Sequence, residues 1–165
     1  MSEQNNIADA LKNALSGDAL KNALTYASFI EVNGITLDTV WRGGYVFHYK
    51  GECICLIGIP PFWDVSEWNI YGFDNNTVHN NVPVDEDLKE FAWAHVKPCA
   101  ASIGGECGGD CKPGISAKVF DKDFGGTCCH VMKFECPDAE AIENIIKLTQ
   151  VWMQSIDTKK AADKL

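Results

Sequence analysis

The sequence has few of the residues that nucleic-acid binding requires. Arg42 is the only arginine among fourteen basic residues, and the chain carries a formal net charge of −9. Phosphate backbones are bound by clustered lysines and arginines, and bases are contacted best by the bidentate guanidinium group. We therefore expect no nucleic-acid partner. The same charge argues against binding to an anionic membrane surface.

Long apolar runs and a secretory leader are missing as well. A membrane helix needs about 18 uninterrupted apolar residues, and no stretch of the sequence approaches that length. The first six residues are polar and acidic, whereas a leader would combine basic residues with an apolar run. These absences predict no membrane partner and a cytoplasmic location, in which cysteines stay reduced.

Short catalytic motifs are also absent. The chain has no P-loop, no dinucleotide-binding glycine motif, no nucleophile elbow and no HExxH motif. Cys129 and His130 are neighbours, but adjacent strand residues point to opposite faces, which predicts a poor thiolate–imidazole couple. The sequence gives no positive indication of an enzyme.

The patterns that are present predict an α+β domain over residues 1–165. An identical seven-residue segment occurs twice, at Asp9–Leu15 and at Asp18–Leu24, with an offset of nine residues. At about 100° per residue, nine residues is roughly a half turn out of phase, so one straight helix would place the leucines of the two copies on opposite sides. Two helices within 6–33 are therefore expected, with a break at Ser16–Gly17 and Asp18 as the second cap.

The rest of the chain alternates between strand and helix patterns. Strands are predicted at 45–49, 53–59, 68–73, 117–120 and 130–134, and helices at 85–95 and 137–158, with a fraying tail. The first two strands flank a tight turn at Lys50–Gly51. The predicted fold is an antiparallel sheet of about four to five strands, with helices packed on one side. The sheet and the Cys-rich loop are expected within residues 38–135.

The eight cysteines are the most informative residues. A chain of this length can bury a core without disulfides, so clustered thiols in a reducing compartment favour a metal or redox site. Residues 99–114 contain three cysteines and five glycines, and glycine permits the positive φ angles that a backbone needs to fold around a metal.

We predict a structural, closed zinc site formed by four thiolates, in a non-catalytic domain of unknown role. The ligands would be Cys99, Cys107, Cys111 and Cys128, with Cys129 and His95 as alternates. Their spacing is not that of a standard zinc finger. An iron–sulfur cluster, thiol redox chemistry and purely structural cysteines remain alternatives.

The other cysteines have simpler interpretations. Cys53 and Cys55 alternate with apolar residues on one strand, which predicts that both are buried on the same sheet face. Cys136 precedes Pro137 at the start of the last helix, which favours a capping position over a nucleophile.

The run Cys107–Gly114, followed by 119–124, Cys128 and 134–140, resembles a group of small Cys/Gly-rich bacterial proteins of unassigned function. The resemblance covers roughly half of the chain, and in that group the first cysteines are more closely spaced than here. It implies no activity.

Aromatic residues suggest a second function, the binding of a small apolar ligand. Nine of them fall within residues 41–73, and aromatic clefts on curved sheets bind such ligands. The candidate ligand-binding residues are Trp41, Phe47, Trp63, Trp68 and Tyr71. The simpler interpretation is that they form the core. The sequence does not identify a protein partner.

Overall fold

The computed structural model describes residues 6–41, 43–60, 67–72, 82–100 and 114–163. It contains four helices and seven strands in these ranges. They are α1 (Ile7–Ala14), α2 (Gly17–Val32), β1 (Thr36–Trp41), β2 (Gly44–Tyr49), β3 (Glu52–Gly58), β4 (Asn69–Gly72), α3 (Glu86–Ala94), β5 (Val96–Pro98), β6 (Ile115–Val119), β7 (Lys122–Glu135) and α4 (Ala139–Ala162). The predicted α+β class is confirmed.

The N-terminal segment is broken into two helices where the repeat predicted. The backbone N–H of Leu15 donates to the Leu11 carbonyl at 2.9 Å, which closes the last turn of α1. Gly17 then adopts a φ of +59°, a conformation that glycine takes without steric cost. Ser16, rather than Asp18, occupies the cap position of α2, and Asp18 lies in its first turn. An acidic residue there suits the positive end of the helix dipole.

The seven strands form one antiparallel sheet in the order β1-β2-β3-β4-β7-β5, with β6 also paired to β7. Sequence patterns missed β1 and β5, so the sheet is larger than predicted. Strand β1 lies at the edge, where Thr36, Asp38 and Thr39 are exposed, and it lacks an apolar repeat. Strand β5 has three residues, too few for a period to be visible.

The hairpin of β2 and β3 confirms the predicted turn. Lys50 and Gly51 have φ angles of +50° and +84°, as in the type I′ turns that connect two-residue hairpins. A bulge follows in β3, because Phe47 pairs with Cys55 whereas His48 pairs with Cys53. The bulge ends strict alternation. Cys55 is buried as predicted, but the prediction for Cys53 was wrong, because its side chain is exposed.

Helix α4 confirms the predicted apolar face and corrects its ends. The residues predicted to face the sheet are all buried: Ile142, Ile145, Thr149, Trp152 and Ile156. The helix continues to Ala162, four residues past the predicted end at 158, and Lys159 and Lys160 lie in its last turn. Lysine and alanine are good helix formers, and lysine also favours the negative end of the dipole.

The start of α4 also differs from the sequence prediction. Asp138, not Cys136, is the cap, and its Oδ1 accepts from the Ala141 N–H at 2.8 Å. The pKa of Cys136 is raised to about 11 by burial and by Glu67. A thiol with that pKa is rarely ionised at neutral pH, which disfavours a role as a nucleophile.

The two faces of the sheet are covered differently. Side chains of all four helices pack with alternate strand residues, such as Phe47, Ile57 and Ile70, in one large core cluster. The intervening residues Leu56 and Tyr71, together with Val46, form a separate small cluster. Because successive strand residues face opposite sides, this second cluster belongs to the face away from the helices.

Candidate metal centre

Strand β7 changes partners in its middle. Thr127 is paired with Pro98 of β5 and with Ile115 of β6, so these two strands lie on opposite edges of β7. Pairing resumes at Val131 with β4 on one edge and at Met132 with β5 on the other. Residues 128–130 therefore lie in an interruption of both ladders.

Three metal-ligating side chains converge at this interruption. The ligand atoms of Cys128, Cys129 and His130 all lie within 4.8 Å of one another. Cys129 Sγ is 3.3 Å from His130 Nδ1. The prediction that Cys129 and His130 point to opposite faces was wrong. Side-chain alternation requires a regular ladder, and Val131, with a φ of +27°, marks a sharp local bend.

The three side chains are half-buried and have aromatic and cationic neighbours. The Tyr71 ring meets the His130 ring edge-on, with centroids 5.7 Å apart. The Lys133 ammonium lies 5.8 Å from the Tyr71 ring centroid. Burial raises the pKa of Tyr71; Lys133 opposes that shift, and Cys128 adds to it. The site thus combines polarizable donors with a partly desolvated setting, in which charges interact strongly.

Lys97 provides positive charge close to Cys128, and Lys133 lies next to Lys97. Burial, and then Lys133, lower the pKa of Lys97, whereas Glu135 and Cys128 oppose that shift. A hydrogen bond to Glu135 raises the pKa of Lys133 against the effect of burial. Thiolates bound to a metal carry negative charge, and neighbouring ammonium groups offset part of it.

The structure places two other candidate ligands outside this group of three. Cys99 is 3% exposed, and its N–H donates to the Gly126 carbonyl at 2.8 Å. His95 Nδ1 lies 2.7 Å from the Phe91 carbonyl oxygen. Its ring packs against both Phe91 and Phe134, at centroid distances of 4.5 and 4.8 Å. His95 is therefore part of the apolar packing, and Cys99 lies near the group through its backbone.

Cys107 and Cys111 fall within 101–113, outside the described residues. The chain on either side of that range is nevertheless attached to β7 next to Cys128. On the N-terminal side of the range, the Cys99 N–H donates to the Gly126 carbonyl. On its C-terminal side, the Thr127 hydroxyl donates to the Ile115 carbonyl at 3.1 Å. Both ends of the Cys-rich loop therefore start beside the group of three donors.

The predicted aromatic cleft does not form from the residues that the structure describes. Phe47, Trp68 and Tyr71 are 2%, 0% and 5% exposed. The first two belong to the helix-side core and Tyr71 to the opposite face. Two surface cavities, of about 560 and 530 Å³, are lined by other residues. Trp63 and the side chain of Trp41 lie outside the described residues.

The sequence patterns place Cys129 among the alternate ligands and do not indicate His130 as a ligand. One available signal was Gly125–Gly126, since glycine inside a strand pattern often marks a bulge. Gly126 has a φ of +66°. A bulge just before Thr127 interrupts the alternation of side chains, so the side chains that follow need not point to opposite faces.

The donor set limits the chemistry of the site. Two thiols and an imidazole suit soft or borderline metals, whereas Mg²⁺ and Ca²⁺ prefer oxygen ligands. A disulfide between Cys128 and Cys129 would be strained, because adjacent Cα atoms are about 3.8 Å apart and disulfides usually span about 4.4–6.8 Å. The Cys/His group could therefore hold a metal ion.

Known proteins add no functional information. Comparison with protein-family models, with curated proteins and with solved structures found no match to this chain. Among the described residues, no helix combines the length and the apolar character that crossing a membrane requires.

Proposed function

We propose that this protein is a non-catalytic zinc-binding protein in which Cys128, Cys129 and His130 supply three of the metal ligands. One observation carries the proposal: three donor atoms of the types that zinc prefers lie within 4.8 Å of one another at a break in the sheet. A regular strand would have separated them.

The dimensions suit zinc with small adjustments. Zinc–sulfur and zinc–nitrogen bonds of about 2.3 and 2.0 Å in a tetrahedron put neighbouring ligand atoms about 3.5–3.8 Å apart. The donors already lie within 4.8 Å of one another, and Cys129 Sγ and His130 Nδ1 are at 3.3 Å. Shifts of about 1 Å or less would complete the three-ligand arrangement, which rotamer adjustments of short side chains can supply.

The fourth ligand is proposed to come from the Cys-rich loop. Cys111 precedes Gly114 by three residues, so their Cα atoms are at most about 11 Å apart. Gly114 precedes Ile115, which is paired with Thr127. Cys107 and Cys99 are the other candidates. A fourth thiolate would close the site and leave no position for a substrate, which is the reason for proposing a structural zinc.

Zinc titration of the metal-free protein tests the proposal. Elemental analysis should give one zinc per chain, and competition with a chromogenic chelator should give its affinity. We expect Cys128→Ser, Cys129→Ser and His130→Gln each to weaken zinc binding by at least about 10-fold. Cys53→Ser is the matched control, since it removes an exposed cysteine outside the group. Unchanged affinity in all three site variants would contradict the proposal.

Hydrogen exchange tests the structural role. A structural metal stabilises the folded segments that hold its ligands. Chelation should therefore speed amide exchange at 126–131 and in the Cys-rich loop, while the β2–β3 hairpin and α4 keep their protection. Equal acceleration throughout the chain, or none at 126–131, would argue against a structural zinc at this place.

A further inference from the structure

Cys128 and Cys129 form an adjacent pair of thiols with an unusual geometry. Their sulfur atoms lie within 4.8 Å of each other, and both side chains are half-buried in the ladder interruption of β7. A direct sulfur–sulfur bond between adjacent residues would be strained. A single bridging atom between the two sulfurs would relieve that strain, because it allows the sulfurs to stay farther apart.

We propose that Cys128 and Cys129 together bind trivalent arsenicals, as a site for thiophilic metalloids. Trivalent arsenic is a soft centre, and thiolate is the soft ligand that proteins offer. A hydrated arsenoxide, R–As(OH)₂, reacts with two thiols to give R–As(SR′)₂ and two molecules of water. Two As–O bonds and two S–H bonds break, two As–S bonds and two O–H bonds form, and no oxidation state changes.

The other described cysteines are less suited to this reaction. Cys55 and Cys99 are buried, and burial raises the pKa of Cys55 to about 12. Cys136 has a pKa of about 11. Cys53 is exposed, but the nearest cysteine along its strand is Cys55. The pair 128–129 combines adjacency with partial exposure.

The proposal uses two residues of the zinc site but does not depend on zinc. Zinc would use the His130 imidazole, whereas the arsenical needs only the two thiols. Zinc and arsenical should therefore compete for the same sulfurs. His130→Gln separates the two functions, because it removes a zinc ligand and keeps both thiols that the arsenical needs.

Differential labelling of the wild-type protein locates the arsenical. The metal-free, fully reduced protein is treated with one equivalent of phenylarsine oxide, and the remaining reactive thiols are alkylated under native conditions. Excess 2,3-dimercaptopropanol then removes the arsenic, and a second, isotopically distinct alkylating agent marks the thiols that are released. We expect peptide mapping to find the second label on Cys128 and Cys129. If the arsenical leads to second labelling only of cysteines other than Cys128 and Cys129, the proposal is overturned.

Single variants test the need for both thiols. Loss of one arm of a chelate typically costs about 100-fold or more in affinity, so Cys128→Ser and Cys129→Ser should each weaken phenylarsine oxide binding by that factor. Cys53→Ser should bind as the wild type does. Wild-type affinity in either serine variant would contradict the proposal. Failure of zinc binding with retained arsenical binding would instead contradict only the zinc proposal.

Discussion

Thiol reactivity should differ by about three orders of magnitude between two cysteines that are two residues apart. Burial raises the pKa of Cys55 from 9.0 to about 12. The three-unit difference means that its thiolate fraction at pH 8 is about 1,000-fold smaller than that of an ordinary cysteine. Cys53 lies past the bulge and is exposed. We therefore expect iodoacetamide to modify Cys53 at least about 1,000-fold faster than Cys55 in the native protein.

Mass spectrometry of proteolytic fragments after timed quenching measures both rates. The control is the same reaction in concentrated guanidinium chloride, in which the two cysteines should react at similar rates. Native rates within 10-fold of each other would refute the bulge and the burial assigned to this strand. The result also bears on the metal site, since any count of thiols protected by zinc must first exclude those protected by burial.

Three further predictions concern stability and can be measured by urea unfolding. Tyr26 Oη lies 3.0 Å from Thr149 Oγ1, whose own proton goes to the Ile145 carbonyl, and the Tyr26 hydroxyl also bonds to Cys55. Thr149→Val leaves that hydroxyl its bond to Cys55 and should cost about 1 kcal/mol, whereas Tyr26→Phe removes both bonds and should cost about 1–3 kcal/mol, so the reverse order would contradict this assignment. Gly51→Ala should lower the free energy of unfolding by about 1–2 kcal/mol, because the residue has a φ of +84°. Gly125→Ala is the control: Gly125 lies outside the left-handed region and has open space for a Cβ, so the cost should be under about 0.5 kcal/mol. Equal costs would contradict the turn conformation. The pKa of Cys55 is higher in the folded protein than its ordinary value of 9.0. The free energy of unfolding should therefore be unaffected by this thiol below pH 9 and should fall between pH 9 and about 12, by up to about 1.4 kcal/mol per pH unit. Cys55→Ala should reduce that slope.

Much of the fold could be predicted from local patterns. The break at Ser16–Gly17, the Lys50–Gly51 turn and the buried face of α4 follow from short-range rules of helix termination, turn conformation and periodicity. These features depend on residues close in sequence, and their signals are strong. The end of α4 was placed too early because polar residues alone do not end a helix that is rich in lysine and alanine.

The site could be predicted only in part. The sequence pointed to cysteines near residues 99–128 as metal ligands, and Cys128 does lie in the converging group. The involvement of Cys129 and His130 depends on where β7 exchanges β6 for β4, which is a property of the whole sheet. The exposure of Cys53 has a similar origin, because a bulge between paired strands shifts the register by one residue. Period-based reasoning assumes regular strands, and both errors occur where that assumption fails.

X-ray absorption at the zinc edge tests the central claim most directly. The zinc-loaded wild-type protein should show at least two sulfurs at about 2.3 Å and one nitrogen at about 2.0 Å. Cys128→Ser should lose one sulfur, and His130→Gln should lose the imidazole scattering. Cys53→Ser should leave the spectrum unchanged. A first shell made of oxygen or nitrogen alone, or a spectrum that does not respond to Cys128, Cys129 or His130, would contradict the proposed zinc site.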